Sequence, residues 1–133
     1  MGEEALVEDQ IRDANKLIEV LDADGASPSL AAWHYDDDAV AWRLVLAGPF
    51  FDKLLREKGG QSLAYLKVVE AFAKTSPSAL SIADVKLVDS QAKLPKTIGT
   101  FITTPSKGFV RAHFTNNFVN GIFLKDILLL RSA

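Results

Sequence analysis

Apolar residues recur along the first part of the chain with a helical period. Val7, Ile11, Ala14, Ile18 and Leu21 are spaced four, three, four and three apart, and Leu17 widens the stripe. This pattern predicts an amphipathic helix over residues 4–24. Glu3, Glu4, Glu8 and Asp9 fall in its first turns, where the helix dipole favours anions, and Gly25 and Pro28 follow as stop signals. The period then changes to two. Residues 30–47 read as a hairpin turning at Asp37-Asp38, with Tyr35 opposite Val40, Trp33 opposite Trp42 and Ala31 opposite Leu44. That register gathers the aromatics on one face, where cross-strand pairs contribute most, and leaves His34, Ala41, Arg43 and Val45 on the other. Gly48-Pro49 ends the second strand.

Phe50 to Lys58 suits a short helix, broken by Gly59-Gly60. A longer helix is expected from about Ser62 to Lys74, with Leu63, Leu66, Val69, Phe72 and Ala73 forming its apolar side. Ser76-Pro77-Ser78 is a loop. Ser81 and Asp84 have capping-box spacing for a single turn, and Val85, Leu87 and Val88 suggest a third strand. Pro95 can occupy the first turn of a short helix carrying Ile98, Phe101 and Ile102. Residues 108–130 hold the densest apolar run and read as a closing antiparallel pair. It turns at Asn120-Gly121 or at Asn116-Asn117, the former being the stronger signal. Either turn places Val110, Ala112 and Phe114 on the face of Phe123, Ile127 and Leu129, and Phe114 is expected to be buried there. Lys125 falls on that apolar face, so a bulge or strand end is expected near Lys125-Asp126.

The order is therefore helix, hairpin, helix, strand, short helix or loop, hairpin. This predicts a single α+β domain over residues 1–133, with a mostly antiparallel sheet of about five strands. The N-terminal and central helices would pack on one face of it. Leu128 and Leu130 point to the other side from Ile127 and Leu129, so the second face should be at least partly covered.

Composition narrows the function. With no cysteine in 133 residues there is no disulfide and no thiolate site. The acidic opening MGEEALVEDQ is not a secretory signal pattern, and no apolar run reaches membrane-span length. A cytoplasmic location and no membrane contact are expected. The net charge of −2 conceals an asymmetry, because residues 1–38 carry −9 and residues 39–133 carry +7. Such a division marks either a surface for a charged partner or an acidic helix packed on a basic body. The second reading is the simpler one.

No phosphate loop, GxGxxG, GxSxG, HExxH or Cys/His metal spacing occurs. Neither a cofactor nor a resident metal is expected. Asp36-Asp37-Asp38 supplies three carboxylates, but consecutive turn positions diverge and suit a solvated turn better than one ion. Both histidines lie on expected strands beside arginines. His34, Arg43, Arg111 and His113 would form one cationic patch for a phosphate or carboxylate if the two hairpins were neighbours. Lys86, Lys93, Lys96, Lys107 and Arg111, interleaved with Phe101 and Phe109, make a weak nucleic-acid pattern, which the sequence pI of about 5.6 disfavours. Phe50-Phe51 after Gly48-Pro49 is unusual, because adjacent phenylalanines at a helix start cannot easily both face inward. One of them could anchor a protein partner.

These readings favour a small non-catalytic module that works through protein contacts, in the manner of an accessory subunit, inhibitor or immunity-type protein. Homodimerisation is compatible with them. A small enzyme or anion-binding protein built on the His/Arg patch is the alternative, and nucleic-acid binding through the basic part of the chain is a second.

Overall fold

The helix that the first apolar stripe demands is present in the computed structural model as α1 (Glu8–Ala23). The model describes residues 8–36, 41–99, 111–119 and 122–132, with side chains for all of these except 93, 97, 99, 114–119 and 122–125. After α1 come β1 (Leu30–Asp36), β2 (Ala41–Ala47), α2 (Pro49–Leu55), α3 (Gly60–Thr75), a 3-10 turn (Ile82–Asp84), β3 (Val85–Leu87), α4 (Lys93–Gly99), β4 (Ala112–Val119) and β5 (Ile122–Ser132). Ile11, Ala14, Leu17, Ile18 and Leu21 are the buried side of α1, as their spacing requires. Val7 lies outside the described residues.

The five strands form one sheet in the order β3-β2-β1-β5-β4. Three of its four pairings are antiparallel, but β2 and β3 run parallel. The sheet is therefore mixed. A parallel neighbour needs a long crossover, and the α2–α3 segment supplies it.

The first hairpin is displaced by two residues from the expected register. Tyr35 pairs with Trp42, Trp33 with Leu44 and His34 with Arg43, and the last pair before the connection is Asp36 with Ala41; residues 37–40 lie outside the described residues. A two-residue slip preserves the faces, because side chains alternate with a period of two. The aromatics thus still share one side, and Tyr35 meets Trp42 edge-on at 5.7 Å between ring centroids. The second hairpin takes the Asn120-Gly121 register, with Ala112 opposite Leu129 and Phe114 opposite Ile127. The expected burial of Phe114 and the placement of the Lys125 side chain fall outside the described side chains.

The bulge expected near Lys125-Asp126 is elsewhere. Strand β5 runs on through that point in constant register with β4, and the irregularity faces Ala31/Ala32, where β5 carries Leu130 as an extra residue. There Leu130 joins the same core cluster as the α1 residues, and the adjacent Arg131 reaches Asp22 on α1.

Because Trp33 pairs with Leu128, the aromatic face coincides with the Leu128 face and not with that of Ile127 and Leu129. Side chains of α1, α2 and α3 join Trp33, Tyr35, Trp42, Leu44 and Leu128 in one core cluster. Ile98 and Leu94 of α4 pack with Leu30, Ala32, Val45, Ile127 and Leu129 on the opposite side. The expectation of helices on a single face is corrected accordingly. The second face is covered, as Leu128 and Leu130 had suggested from their parity. No helix among the described residues is long and apolar enough to cross a membrane.

Candidate functional site

Helix α3 is apolar on two sides, and the fold buries the side with the smaller residues. Gly60, Ala64, Val68 and Ala71 face inward at spacings of four, four and three. The core cluster they join already holds Trp33, Tyr35, Trp42 and Phe51. Large aromatics on the sheet leave room only for small side chains on the helix above it, because interiors are packed near crystal density. The α2–α3 corner enforces the same close approach. A Cβ on Gly60 would lie 1.6 Å from the Leu54 carbonyl oxygen, and Gly59 holds φ at +74°. Those two glycines set α3 down with its small residues inward.

The large apolar residues are consequently turned to solvent. Leu63 is 54% exposed, Leu66 50% and Val69 46%. Ala73 is exposed on the same outer side. Three neighbours at i, i+3 and i+6 make a continuous apolar ridge along the helix. The apolar side expected from Leu63, Leu66, Val69, Phe72 and Ala73 is therefore not the side that the helix buries, although Phe72 is partly buried against the core. The signal that would have found it is the Gly60–Ala64–Val68–Ala71 stripe, which is as periodic as the larger one.

The flanks of α3 are pinned by charge. Lys74 bonds both oxygens of Asp24 at the end of α1, at 3.0 and 2.9 Å, with Lys67 3.5 Å away. The Lys74 bond holds the Asp24 carboxyl below its ordinary range. Arg56, after α2, grips Asp89 through two bonds of 2.6 and 2.7 Å. That bond, with the Gln91 amide, lowers the Asp89 carboxyl to about 2. Phe51 is fully buried, whereas Phe50 on the same helix is 37% exposed and meets it edge-on at 5.4 Å. One ring of the pair is therefore in the core and the other is partly exposed.

The four residues of the expected His/Arg patch are not brought together. His34 and Arg43 are direct cross-strand partners, two pairs further along the hairpin than Ala32 and Val45, and so on the same, α4 side of the sheet. Arg43 also donates to the Ala83 carbonyl at 2.5 Å. His113 pairs across the ladder with Leu128, which places it on the α1 side, where it bonds Asp126. Arg111 forms a two-pronged ion pair with Glu8 on α1, which lowers the Glu8 carboxyl and raises the Arg111 guanidinium. The sheet thus lies between the two histidines. Parity within each hairpin was legible, but the β1–β5 register that relates them was not.

A cleft of about 340 Å³ opens beside α1, lined by Ile11, Leu130 and the Glu8–Arg111 pair. Arg12, Lys16 and Glu19 line it together with Asn15, whose buried Oδ1 has no hydrogen-bond partner among the described residues. Its charges are largely balanced, since Arg12 is also paired with Asp9. Among the described residues no group of three or more His, Cys, Asp or Glu side chains could hold a metal ion. Of the nucleic-acid pattern, Lys86 and Lys96 are exposed and Arg111 is engaged by Glu8. Phe101, Lys107, Phe109 and the Lys93 side chain lie outside the described residues.

The acidic first helix spends its charge within the molecule. Glu8 meets Arg111, Asp22 meets Arg131, and Asp24 meets Lys67 and Lys74. Asp13, buried among the apolar positions of α1, accepts the backbone N–H groups of Ser78, Ala79 and Leu80 at 3.1, 2.7 and 3.2 Å. Four acids of the negative segment, Glu8, Asp13, Asp22 and Asp24, are thus engaged within the molecule, and among the described helices α3 stands out with apolar bulk turned outward. Comparison with protein-family models, with curated proteins and with solved structures returns no match to this chain.

Proposed function

We propose that this chain is a small, non-catalytic, cytoplasmic protein-interaction module that docks through the outer face of α3. The observation that carries this reading is the ridge of Leu63, Leu66 and Val69, each about half exposed. Single exposed leucines are ordinary, but an uninterrupted apolar row on a helix is the geometry by which helices are recognised in grooves or by other helices. Phe50 is a further partly exposed apolar residue, on α2, which packs against α3. The absence of cysteine accords with a reducing compartment.

The test compares immobilised wild-type chain with Leu66→Glu, both shown to be folded by circular dichroism. Wild type is expected to retain a protein, identified by mass spectrometry, that the variant loses. The same retained set on both baits, own copies included, would contradict the reading.

A further inference from the structure

We infer that the protein recognised by this face is a second copy of the chain, with the two α3 helices packed antiparallel about a two-fold axis at Leu66. This rests on the reading of the outer face as a docking surface. The stripe is symmetric about its own centre. With Leu66 on the axis, each residue meets the one equally far on the other side: Leu66 meets its mate, Leu63 meets Val69, and Gly59 meets Ala73. An isologous contact requires this kind of self-complementarity, and the ridge already has it.

Charge is arranged to suit the same pairing. Glu70 is the sole acid within α3, and the helix beyond it ends in Lys74. In the antiparallel arrangement Glu70 stands across from Ser62 in the mate's first turn. That turn begins at Gly59, which offers no side-chain cap, so the carboxylate lies near the positive end of the mate's helix dipole. The two Glu70 positions are separated along the axis by about 12 Å at 1.5 Å per residue, beyond the range of strong repulsion in physiological salt. A parallel pairing would instead set Glu70 against Glu70 and align the two dipoles unfavourably. The single acid and the uncapped first turn thus select the antiparallel arrangement.

The geometry gives a specific test, because the natural chain has no cysteine. Packed helices lie about 8–10 Å apart, and a Cα radius of about 2.3 Å on each side leaves on the order of 5 Å between the two Leu66 Cα atoms. That is disulfide distance. Ala73 lies on the same outer side of α3, but its two copies would be about 21 Å apart along the axis. Under mild oxidation Leu66→Cys is expected to form a disulfide dimer and Ala73→Cys to stay a single chain. Sedimentation of the unmodified protein should approach twice 14.5 kDa as concentration rises, with Leu66→Glu raising the dissociation constant at least tenfold. Linkage at both cysteines would overturn the antiparallel two-fold, and linkage at neither, with the unmodified chain sedimenting as a monomer, would overturn self-association. In the last case, capture of a different protein that Leu66→Glu abolishes would leave the docking face standing. Its absence would remove both readings.

Discussion

Arg131→Leu is expected to destabilise the fold by about 3–5 kcal/mol, because it strands one half of a buried ion pair. Arg131 is fully buried near the end of β5. Its guanidinium donates to both Asp22 oxygens at 2.8 and 2.9 Å, to the Pro28 carbonyl at 3.2 Å and to the Ser27 hydroxyl at 3.4 Å. The β5 bulge at Leu130 aims it there, so the contact ties the last strand to the end of α1 and to the turn before β1. Leucine would leave the Asp22 carboxylate and the Pro28 carbonyl facing an apolar group. The pair is not expected to contribute that much net stability, since desolvating both charges offsets most of their attraction. Asp22→Leu combined with Arg131→Leu should therefore cost less than the sum of the two single changes. A denaturant-based double-mutant cycle measures that coupling. A cost below about 1 kcal/mol for Arg131→Leu would mean that the side chain is solvated, and the link between β5 and α1 absent.

Trp33→Ala should cost a similar amount, about 3–5 kcal/mol. The residue is fully buried on β1, the central strand, and lies in the ladder between Leu44 and Leu128. Removing the ring empties the space beneath small helix residues that cannot collapse to fill it. Trp33→Phe should cost well under half as much. Among the described residues the indole Nε1 has no hydrogen-bond partner, so phenylalanine deletes an unsatisfied donor while keeping most of the buried ring. Thermal or urea unfolding of both variants checks the ranking. Equal losses would mean that the indole N–H is satisfied and contributes to stability.

Periodicity carried the fold a long way. The stripe of α1, the aromatic face of the first hairpin, the register of the second hairpin and the Ser81/Asp84 capping box are all local patterns, and all are present. What failed was non-local. The shared face of Trp33 and Leu128 depends on a pairing between strands almost a hundred residues apart in sequence, and no local signal fixes it. The separation of His34 from His113 follows directly from that register. Helix α3 failed for a different reason. Its two apolar stripes have the same period, and hydrophobicity alone favours the larger one. The sheet and α2 decide, because Trp33, Tyr35 and Trp42 of the one and Phe51 of the other fill the space that leucines would need. A small-residue stripe facing an aromatic-rich hairpin is the pattern to weigh in such a helix.

The candidate interaction surface exists because of this inversion, and so does the most direct test of the account. Equilibrium unfolding of Leu66→Glu and Val68→Glu should be measured at a concentration where the unmodified chain sediments as a monomer. Leu66 lies outside, so its variant should unfold within about 0.5 kcal/mol of the unmodified chain. Val68 is fully buried, and a carboxylate there should be strongly destabilising. A loss of about 2–5 kcal/mol for Leu66→Glu, the range of a buried leucine, would show that α3 presents its large residues to the core and would contradict the account.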